Sequence, residues 1–185
     1  GLKTRPFLRK PKKVIGNNLF FRDATKDDAA FILMLRVNPC KASYISPTPS
    51  SIKHQEEWLK RYANDNDQVY FIILNKLNER VGTVRLYDNS NNSFCWGSWI
   101  LIDGVPSSYA IESALLVYHF ALTLGFEKAH FDVRKGNRSV WIFHERFGAI
   151  RVDETQDDYI YNISLERIKL SLEKYKKYLP NRILI

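Results

Sequence analysis

The sequence has two cysteines, Cys40 and Cys95, among 185 residues. Two thiols are too few for the disulfide framework of a small secreted protein. Neither cysteine lies in a Cys/His cluster with the ligand spacing of a zinc site. We therefore expect no structural disulfide and no metal.

Long hydrophobic runs, internal repeats and low-complexity tracts are also missing. A transmembrane helix needs about 18 apolar residues in a row, and the first residues lack the apolar centre of a secretion signal. We therefore expect no membrane partner and a cytoplasmic location. A chain of this length without repeats most often forms one domain.

The composition is typical of a globular protein, with 45% hydrophobic, 14% aromatic and 26% charged residues. The chain has 28 Lys and Arg residues and 20 Asp and Glu residues, which gives a net charge of +8. Positive charge attracts an anionic ligand, whether a phosphorylated cofactor, a nucleotide sugar or a nucleic acid. Much of it lies near the two chain ends, where solvated tails are the favoured interpretation. We therefore do not expect nucleic acid as the partner.

We divide the chain into a loose basic arm at residues 1–18, a central domain at 19–165, and a C-terminal helix and tail at 166–185. Hydrophobic periodicity and turn residues predict the elements of the domain. These are a strand at 19–22, a helix from Thr25 to Arg36, a helix at 51–62, strands at 69–74 and 80–87, a polar loop at 88–93, two strands around 150–152 and 159–163, and a helix at 165–178.

The most informative stretch runs from Phe94 to Ala149. A strand rich in aromatic residues ends at Ile102, and the turn after it contains Gly104 and Pro106. An amphipathic helix then begins at Ser107 or Ser108 and ends at Gly125. A strand at 129–133 and a short helix ending at Gly148 complete a βαβα unit.

The start of the first helix in this unit is suited to a phosphate or pyrophosphate. The first backbone N–H groups of a helix have no partner within the helix, and the helix dipole adds positive charge there. The small residues Ser107, Ser108 and Ala110 would let a ligand approach the backbone closely. An ordinary connection between strand and helix is the alternative interpretation.

The second half of the unit resembles the GCN5-related N-acetyltransferases. Val133, Asn137, Ser139 and Gly148 are in register with the strand and helix that form one wall of the acetyl-coenzyme A cleft in that family. The turn before the first helix departs from the family pattern and keeps only Ala110. The resemblance implies an α/β (α+β) fold with a mixed sheet of six to seven strands, a V-shaped splay between two central parallel strands, and acetyl-coenzyme A as the acetyl donor.

The resemblance also implies which residues contact the cofactor. The end of the first strand would bind the pantetheine arm through its backbone, the helix start would bind the pyrophosphate, and the second helix would add polar side chains. The implied residues are Leu101, Ile102, Ser107, Ser108, Tyr109, Ala110, Ile111, Glu112, Asn137 and Ser139.

His144 is the first candidate for the acid that protonates the departing thiolate, because it takes the position of a frequent family tyrosine, and imidazole titrates near neutral pH. A surface histidine is the alternative. For the base, Cys95 takes the position of a frequent family glutamate but is more typical of a small core residue. Asp88 or a water relay is the remaining option.

The resemblance further implies that the acceptor binds between the helices before residue 62 and the neighbouring strands. The predicted contacts are Arg36, Tyr44, Gln55, Trp58, Arg85 and Tyr87. Core packing is the alternative for Trp58.

Gln55 with Trp58, and Phe143 with His144, resemble pairs in acetyltransferases of amino-sugar nucleotide pathways. A small-molecule amine, in particular a nucleotide-linked amino sugar, is therefore the favoured acceptor. Acetylation of ribosomal or other protein N-termini is one alternative, and an inactive basic binding module is another. A homodimer is a further option for the assembly.

Overall fold

The structure is a computed structural model that describes residues 5–38 and 51–185. Within these ranges the chain forms a mixed sheet of eight strands and five α-helices. The strands are β1 Lys13–Ile15, β2 Leu19–Asp23, β3 Val69–Asn75, β4 Arg80–Ser90, β5 Ser93–Leu101, β6 Lys128–Arg134, β7 Ile150–Glu154 and β8 Asp158–Ser164. The helices are α1 Ala29–Arg36, α2 Ile52–Tyr62, α3 Ser108–Thr123, α4 Arg138–Phe147 and α5 Leu165–Lys174.

The order of the strands across the sheet is β1-β2-β3-β4-β5-β6-β8-β7. Strands β5 and β6 are parallel, and all other neighbours are antiparallel. The α/β fold with a mixed sheet is confirmed, with one more strand than the six to seven predicted. None of the helices in the two described ranges is long and apolar enough to span a membrane.

The extra strand is β1, which belongs to the segment predicted as a loose arm. Val14 is fully buried and Leu8 is 3% exposed. The Lys10 ammonium donates to the Tyr62 carbonyl over 2.7 Å and lies 3.8 Å from the centre of the Tyr62 ring. The Ile15 N–H donates to the carbonyl of Leu184 over 2.8 Å. The prediction of a loose arm is therefore wrong for residues 8–15.

Helix starts follow the side chains expected to cap them. Thr25 and Asp28 form a reciprocal capping box at a short 3-10 turn, Lys26–Asp28, that leads into α1. Ser51 accepts the His54 N–H at the start of α2. Gly148 follows the last residue of helix α4. Its φ of 114° is a conformation that strains residues with a Cβ atom and that glycine adopts readily. The predicted last helix ends as α5 at Lys174 and continues as a 3-10 turn, Lys176–Tyr178.

The sheet separates two hydrophobic cores. The larger core joins one sheet face to α3, α4 and α5, and it includes Phe71, Phe94 and Trp96. The smaller core joins the opposite face to α1 and α2, and it includes Tyr62, Tyr70 and Ile72. Alternate residues of a strand point to opposite faces, so β3, β4 and β5 contribute side chains to both sides.

Strand β4 is longer than predicted and continues through Asp88 to Ser90. A turn at Asn91, whose φ is 53°, connects it directly to β5. The predicted polar loop at 88–93 is therefore mostly a hairpin. Asparagine tolerates a positive φ better than most residues, which explains how so short a turn forms here.

The parallel pair β5 and β6 is short. Its three residue pairs join Ser93–Cys95 to Lys128–His130, and beyond them the strands continue without pairing to each other. The Ser93 hydroxyl lies 2.6 Å from His130 Nδ1 at the paired end. The strands therefore separate toward the starts of α3 and α4, as the predicted V-shaped splay requires.

A bulge in β5 lies along the open part of the splay. Thr83 pairs with Ile100 while Arg85 pairs with Gly97, so β5 has one residue more than β4 between these pairs. Ser98 lies in the bulge with a φ of 46°. Close to it, a Cβ on Gly82 would lie 2.4 Å from the Ile100 carbonyl oxygen. Glycine at position 82 thus permits the close approach of β4 and β5.

The outer strand β7 also contains a bulge. Arg151 pairs with Tyr161 and Asp153 pairs with Ile160, so Val152 is the additional residue on the edge strand. All five residues of β7 are exposed. The guanidinium of Arg151 covers the Tyr159 ring at 3.5 Å and donates to Glu145 over 2.9 Å.

Candidate active site

The open end of the splay forms a candidate cleft between β5 and β6. Helix α3 begins just after β5, and helix α4 begins just after β6, so both helix N-termini lie at the ends of the two parallel strands. Ligands of α/β sheets commonly bind at such a place, where helix N–H groups converge. The structure thus positions the two segments that the sequence assigned to the cofactor around one cleft.

The start of α3 has fewer available N–H groups than predicted. The Tyr109 N–H donates to Pro106 and the Ala110 N–H to Ser107, both within the first turn. Ser107 is the N-cap residue, and its hydroxyl makes no capping hydrogen bond. A phosphate at this position would therefore meet the hydroxyls and N–H groups of Ser107 and Ser108 first.

At the end of β5, consecutive residues direct their backbone groups toward different neighbouring strands. The Ile102 N–H donates to the Val81 carbonyl over 2.9 Å, on the side of β4. Successive residues of a strand direct their backbone groups to opposite edges, so Leu101 directs its own toward the splay. A backbone contact between Leu101 and the cofactor therefore remains a prediction. The N–H of Ile102 is already bonded to β4 and does not face the cofactor.

Glu112 points away from the cleft. Its carboxylate is 1% exposed and accepts the N–H groups of Asn18 and Leu19 over 2.9 and 2.8 Å. Burial raises the pKa of this carboxyl group, although these bonds oppose the effect. The side chain joins α3 to the turn between β1 and β2, which is a structural role that the sequence prediction missed. Ile111 next to it packs partly buried against the larger core.

Helix α4 presents the two predicted polar residues near its start. Asn137 is the N-cap residue, and its side chain makes no capping hydrogen bond. Its carbonyl accepts the N–H groups of Val140 and Trp141. Ser139 is exposed in the first turn. Both side chains lie on the β6 side of the cleft, where the resemblance predicts cofactor contacts.

His144 is not on the surface. It is 5% exposed and lies among aromatic rings, with the centroid of Phe131 at 4.3 Å and that of Trp96 at 5.1 Å. Burial lowers the pKa of the imidazole to about 3. A neutral imidazole is a poor proton donor to a thiolate at physiological pH, so the burial of His144 argues against the predicted role as the general acid.

The surroundings of Asp88 and Cys95, the two residues considered for the base, do not favour that role. Asp88 is exposed, and it lies four residues beyond Val84, which faces the β5 bulge, or about 13 Å along β4. Burial raises the pKa of the Cys95 thiol to about 11, so it is protonated at neutral pH. Cys95 is 7% exposed, in agreement with its interpretation as a small core residue. Direct attack without a protein base is therefore the simpler chemistry.

Several predicted acceptor residues do come together, on the sheet face covered by α1 and α2. Arg85 donates from Nε to the Gln68 side-chain oxygen over 2.6 Å, and its guanidinium lies 4.1 Å from the Tyr87 ring and 5.9 Å from the Trp58 ring. Arg36 donates from Nη1 to the Ser98 hydroxyl over 3.0 Å. We call this surface the acceptor face. Tyr44 lies outside the described residues.

Trp58 and Gln55 also have structural roles. The Trp58 ring stacks on Tyr62 at 5.6 Å and contacts the edge of Tyr70 at the same distance, so core packing accounts for part of its environment. Gln55 is 7% exposed on the buried side of α2. Trp58 thus connects the smaller core to the acceptor face.

Sequence reasoning missed three residues of the acceptor face: Tyr70, Thr83 and Ser98. Tyr70 belongs to the apolar run of β3 and was indistinguishable from a core residue. The Thr83 hydroxyl donates to the Ser98 carbonyl over 2.9 Å, across the bulge. The irregular pairing of β4 with β5 brings these side chains together, and a single sequence contains no signal for it. No cluster of three or more metal-ligating side chains occurs within residues 5–38 and 51–185.

Comparison with known proteins agrees with this architecture. The family model of the acetyltransferase (GNAT) domain matches residues 18–150. The solved structure of apo FdhC, described as a nucleotide-linked sugar GNAT, is 37% identical, with 97% of this chain and 100% of that chain covered and a TM-score of 0.79. A search of curated proteins finds no match.

More distant structures share the fold. Spermidine N-acetyltransferase from Vibrio cholerae, in complex with CoA and spermine, is 19% identical, with 82% of this chain and 98% of that chain covered and a TM-score of 0.74. A putative acetyltransferase from T. thermophilus is 16% identical, with coverage of 92% and 98% and a TM-score of 0.72. With a matching family model, a closely similar sheet and a splay at the expected strands, the chain belongs to the GNAT family of N-acetyltransferases.

Proposed function

We propose that this N-acetyltransferase transfers the acetyl group of acetyl-coenzyme A to the primary amine of a nucleotide-linked amino sugar. The observation that carries the proposal is the 37% identity to FdhC, which extends over 97% of the chain and includes the acceptor-face elements. FdhC is described as a nucleotide-linked sugar GNAT.

The reaction requires the amine to be neutral, because its lone pair attacks the thioester carbonyl carbon. An amide bond forms, the carbon–sulfur bond breaks, and the proton lost by the amine balances the charge of the departing thiolate. Strand β5 would lie between the two substrates, with backbone groups such as those of Leu101 toward the donor and the Ser98 bulge toward the acceptor. The protein contributes by holding both reactants in position and by excluding water from the reacting groups.

The charge of the acceptor face supports an anionic acceptor. The guanidinium groups of Arg36 and Arg85 lie on this face, and guanidinium binds phosphate oxygens through paired N–H groups. A diphosphate linkage would supply these oxygens. Positive charge nearby also disfavours the ammonium form of an acceptor amine, which lowers its pKa and increases the neutral, reactive fraction.

The rings of Trp58 and Tyr87 support the nucleotide part of the proposal. Both lie beside Arg85, and aromatic faces bind the flat surfaces of bases and the apolar faces of sugars. A polyamine acceptor is positively charged, unlike a nucleotide sugar, and would be repelled by Arg36 and Arg85. The likeness to spermidine acetyltransferases, at 18 to 19% identity, extends to the fold alone.

Thiol release from acetyl-coenzyme A in the presence of candidate acceptors tests the proposal. We expect turnover with nucleoside-diphosphate amino sugars, and none with the matched nucleotide sugar that has a hydroxyl in place of the amine. Spermidine and N-terminal peptides of ribosomal proteins are the competing acceptors. Turnover of peptides without amino-sugar nucleotides would favour N-terminal acetylation and overturn the proposal.

Arg85→Gln provides a check within the chain. Removal of one phosphate contact should raise the acceptor KM about tenfold, because charge-assisted hydrogen bonds contribute about 1.5–3 kcal/mol. The KM for acetyl-coenzyme A should be unchanged. Arg9→Gln, which removes a positive charge from the N-terminal segment, is the control and should leave both KM values unchanged.

A further inference from the structure

The hydroxyl of Tyr70 is a buried polar group without a hydrogen-bond partner among the described residues. Tyr70 lies in β3 and is 3% exposed. Among the residues that the structure describes, its oxygen is the one fully buried side-chain polar atom that makes no hydrogen bond. Proteins rarely leave such a group unpaired, because its desolvation is then uncompensated. A ligand that supplies the missing partner is a physical explanation.

The surroundings of this hydroxyl place it on the acceptor face. Tyr70 is the β-pairing partner of Arg85, so the two side chains share one face of the sheet. Arg36 and Thr83 lie close enough to the hydroxyl to lower its pKa through charge and weak side-chain hydrogen bonding, which opposes the effect of burial, but neither meets it with the distance and angles of a full hydrogen bond. Both residues contact Ser98 in the β5 bulge. The hydroxyl is therefore beside the segment of β5 that separates donor from acceptor.

The rest of Tyr70 is held firmly. Its N–H donates to the Tyr62 hydroxyl over 2.6 Å, and its ring contacts Trp58 and Tyr62 edge-on. Burial raises the pKa of its hydroxyl, which is neutral in the physiological range. A neutral hydroxyl can accept one hydrogen bond and donate another. The oxygen is thus held in place before any ligand arrives.

We propose that the Tyr70 hydroxyl is a positioning group for the acceptor, and that it accepts a hydrogen bond from the amino group that is acetylated. The proposal rests on the proposed function in one respect, that the amine binds on the acceptor face. With one N–H directed to Tyr70, the lone pair of the neutral amine is directed toward β5 and the thioester. Tyr70 takes no proton in this step. It orients the amine.

The substitution Tyr70→Phe separates this role from a structural one. It removes a hydroxyl that has no hydrogen-bond partner within residues 5–38 and 51–185, so the melting temperature should be equal to that of the wild type or higher. The acceptor kcat/KM should fall about five- to tenfold, the cost of one lost hydrogen bond. The KM for acetyl-coenzyme A should not change.

Tyr118→Phe is the matched control. Tyr118 is 1% exposed, and its hydroxyl accepts the Trp96 indole N–H over 3.2 Å, in the core on the other side of the sheet. This variant should have a lower melting temperature and an acceptor KM close to that of the wild type. It shows what the loss of a structural tyrosine hydroxyl does.

Two results would overturn the role of Tyr70. An acceptor kcat/KM of Tyr70→Phe within about twofold of the wild type would show that the hydroxyl does not contact the acceptor. A lower melting temperature, or a chain that does not fold, would show that the hydroxyl is structural. The measurement uses whichever acceptor the thiol-release screen identifies. A peptide acceptor would therefore end the nucleotide-sugar proposal and still allow this test.

Discussion

The histidine on α4 shows how burial changes the chemistry of a single residue. The sequence placed His144 at the position of a frequent family tyrosine, and imidazole in water would be a suitable acid at neutral pH. Rings from β5, β6 and α4 enclose it instead, and they lower its pKa to about 3. The protonation state of His144 depends on Trp96 and Phe131, which are distant in sequence, so residue identity alone does not predict it.

His144→Phe should therefore retain most of the activity. We expect kcat within about threefold of the wild type, because a neutral imidazole contributes no general acid catalysis, which typically amounts to about 10²- to 10⁴-fold. The measurement is kcat under conditions where chemistry limits the rate. A loss of two orders of magnitude in a folded His144→Phe protein would restore the role of acid to His144.

The same substitution should change the stability of the protein in acid. The imidazole takes up a proton near pH 6.5 in the unfolded chain and near pH 3 in the folded one. The unfolded state binds more protons between these values, so His144 lowers stability as the pH falls from about 6.5 to about 3. The melting temperature of His144→Phe relative to wild type should be higher at pH 5 than at pH 8. An equal difference at both pH values would contradict the lowered pKa.

The strand β5 shows what a pattern of hydrophobic residues can and cannot predict. Its limits were predicted to within one residue, because aromatic and β-branched residues mark a buried strand. The bulge at Ser98 and the close approach at Gly82 were not predicted, since both depend on the pairing of β4 with β5. The same limit applies to Glu112, whose carboxylate binds backbone N–H groups of Asn18 and Leu19, more than 90 residues away in sequence.

Gly82→Ala should displace the wall of the cleft. A methyl group here meets the Ile100 carbonyl oxygen at 2.4 Å, so β5 must move away from β4. We expect a loss of about 1–3 kcal/mol in the free energy of unfolding, the usual cost of overpacking. The KM for acetyl-coenzyme A should rise as well.

Ser90→Ala, at the exposed end of the same strand, is the control for Gly82→Ala. It should change neither the free energy of unfolding nor the KM. Denaturant unfolding and steady-state kinetics measure both quantities. An unchanged KM in Gly82→Ala would mean that this part of β5 does not form the donor side of the cleft.

The whole chain has a net charge of +8, and both proposed substrates are anions. Long-range attraction should raise the rate of their encounter with the protein, and salt should screen it. We expect kcat/KM for each substrate to fall several-fold between about 50 and 500 mM NaCl, while kcat changes little. An uncharged sugar amine, if accepted at all, should show a weaker salt dependence. An equal salt dependence of kcat/KM for the anionic and the uncharged acceptor would contradict electrostatic steering.

Domain limits are harder to assign from sequence than elements are. The division at residues 18 and 165 remains a proposal, and the contacts of Leu8, Lys10 and Leu184 join the outer segments to the sheet. A homodimer likewise remains a prediction. The basic composition of the chain ends suggested solvated tails, whereas burial of Leu8 and Val14 shows that a basic segment can also carry core residues.

The two edge strands of the sheet affect how readily the protein aggregates. An unprotected margin is a template on which a foreign strand can be added, and repetition of that step produces fibrils. Here β1 is three residues long and is held by Leu184, while β7 is interrupted at Val152 and covered in part by the Arg151 side chain. Irregularity at both edge strands thus makes regular pairing with a foreign strand less favourable.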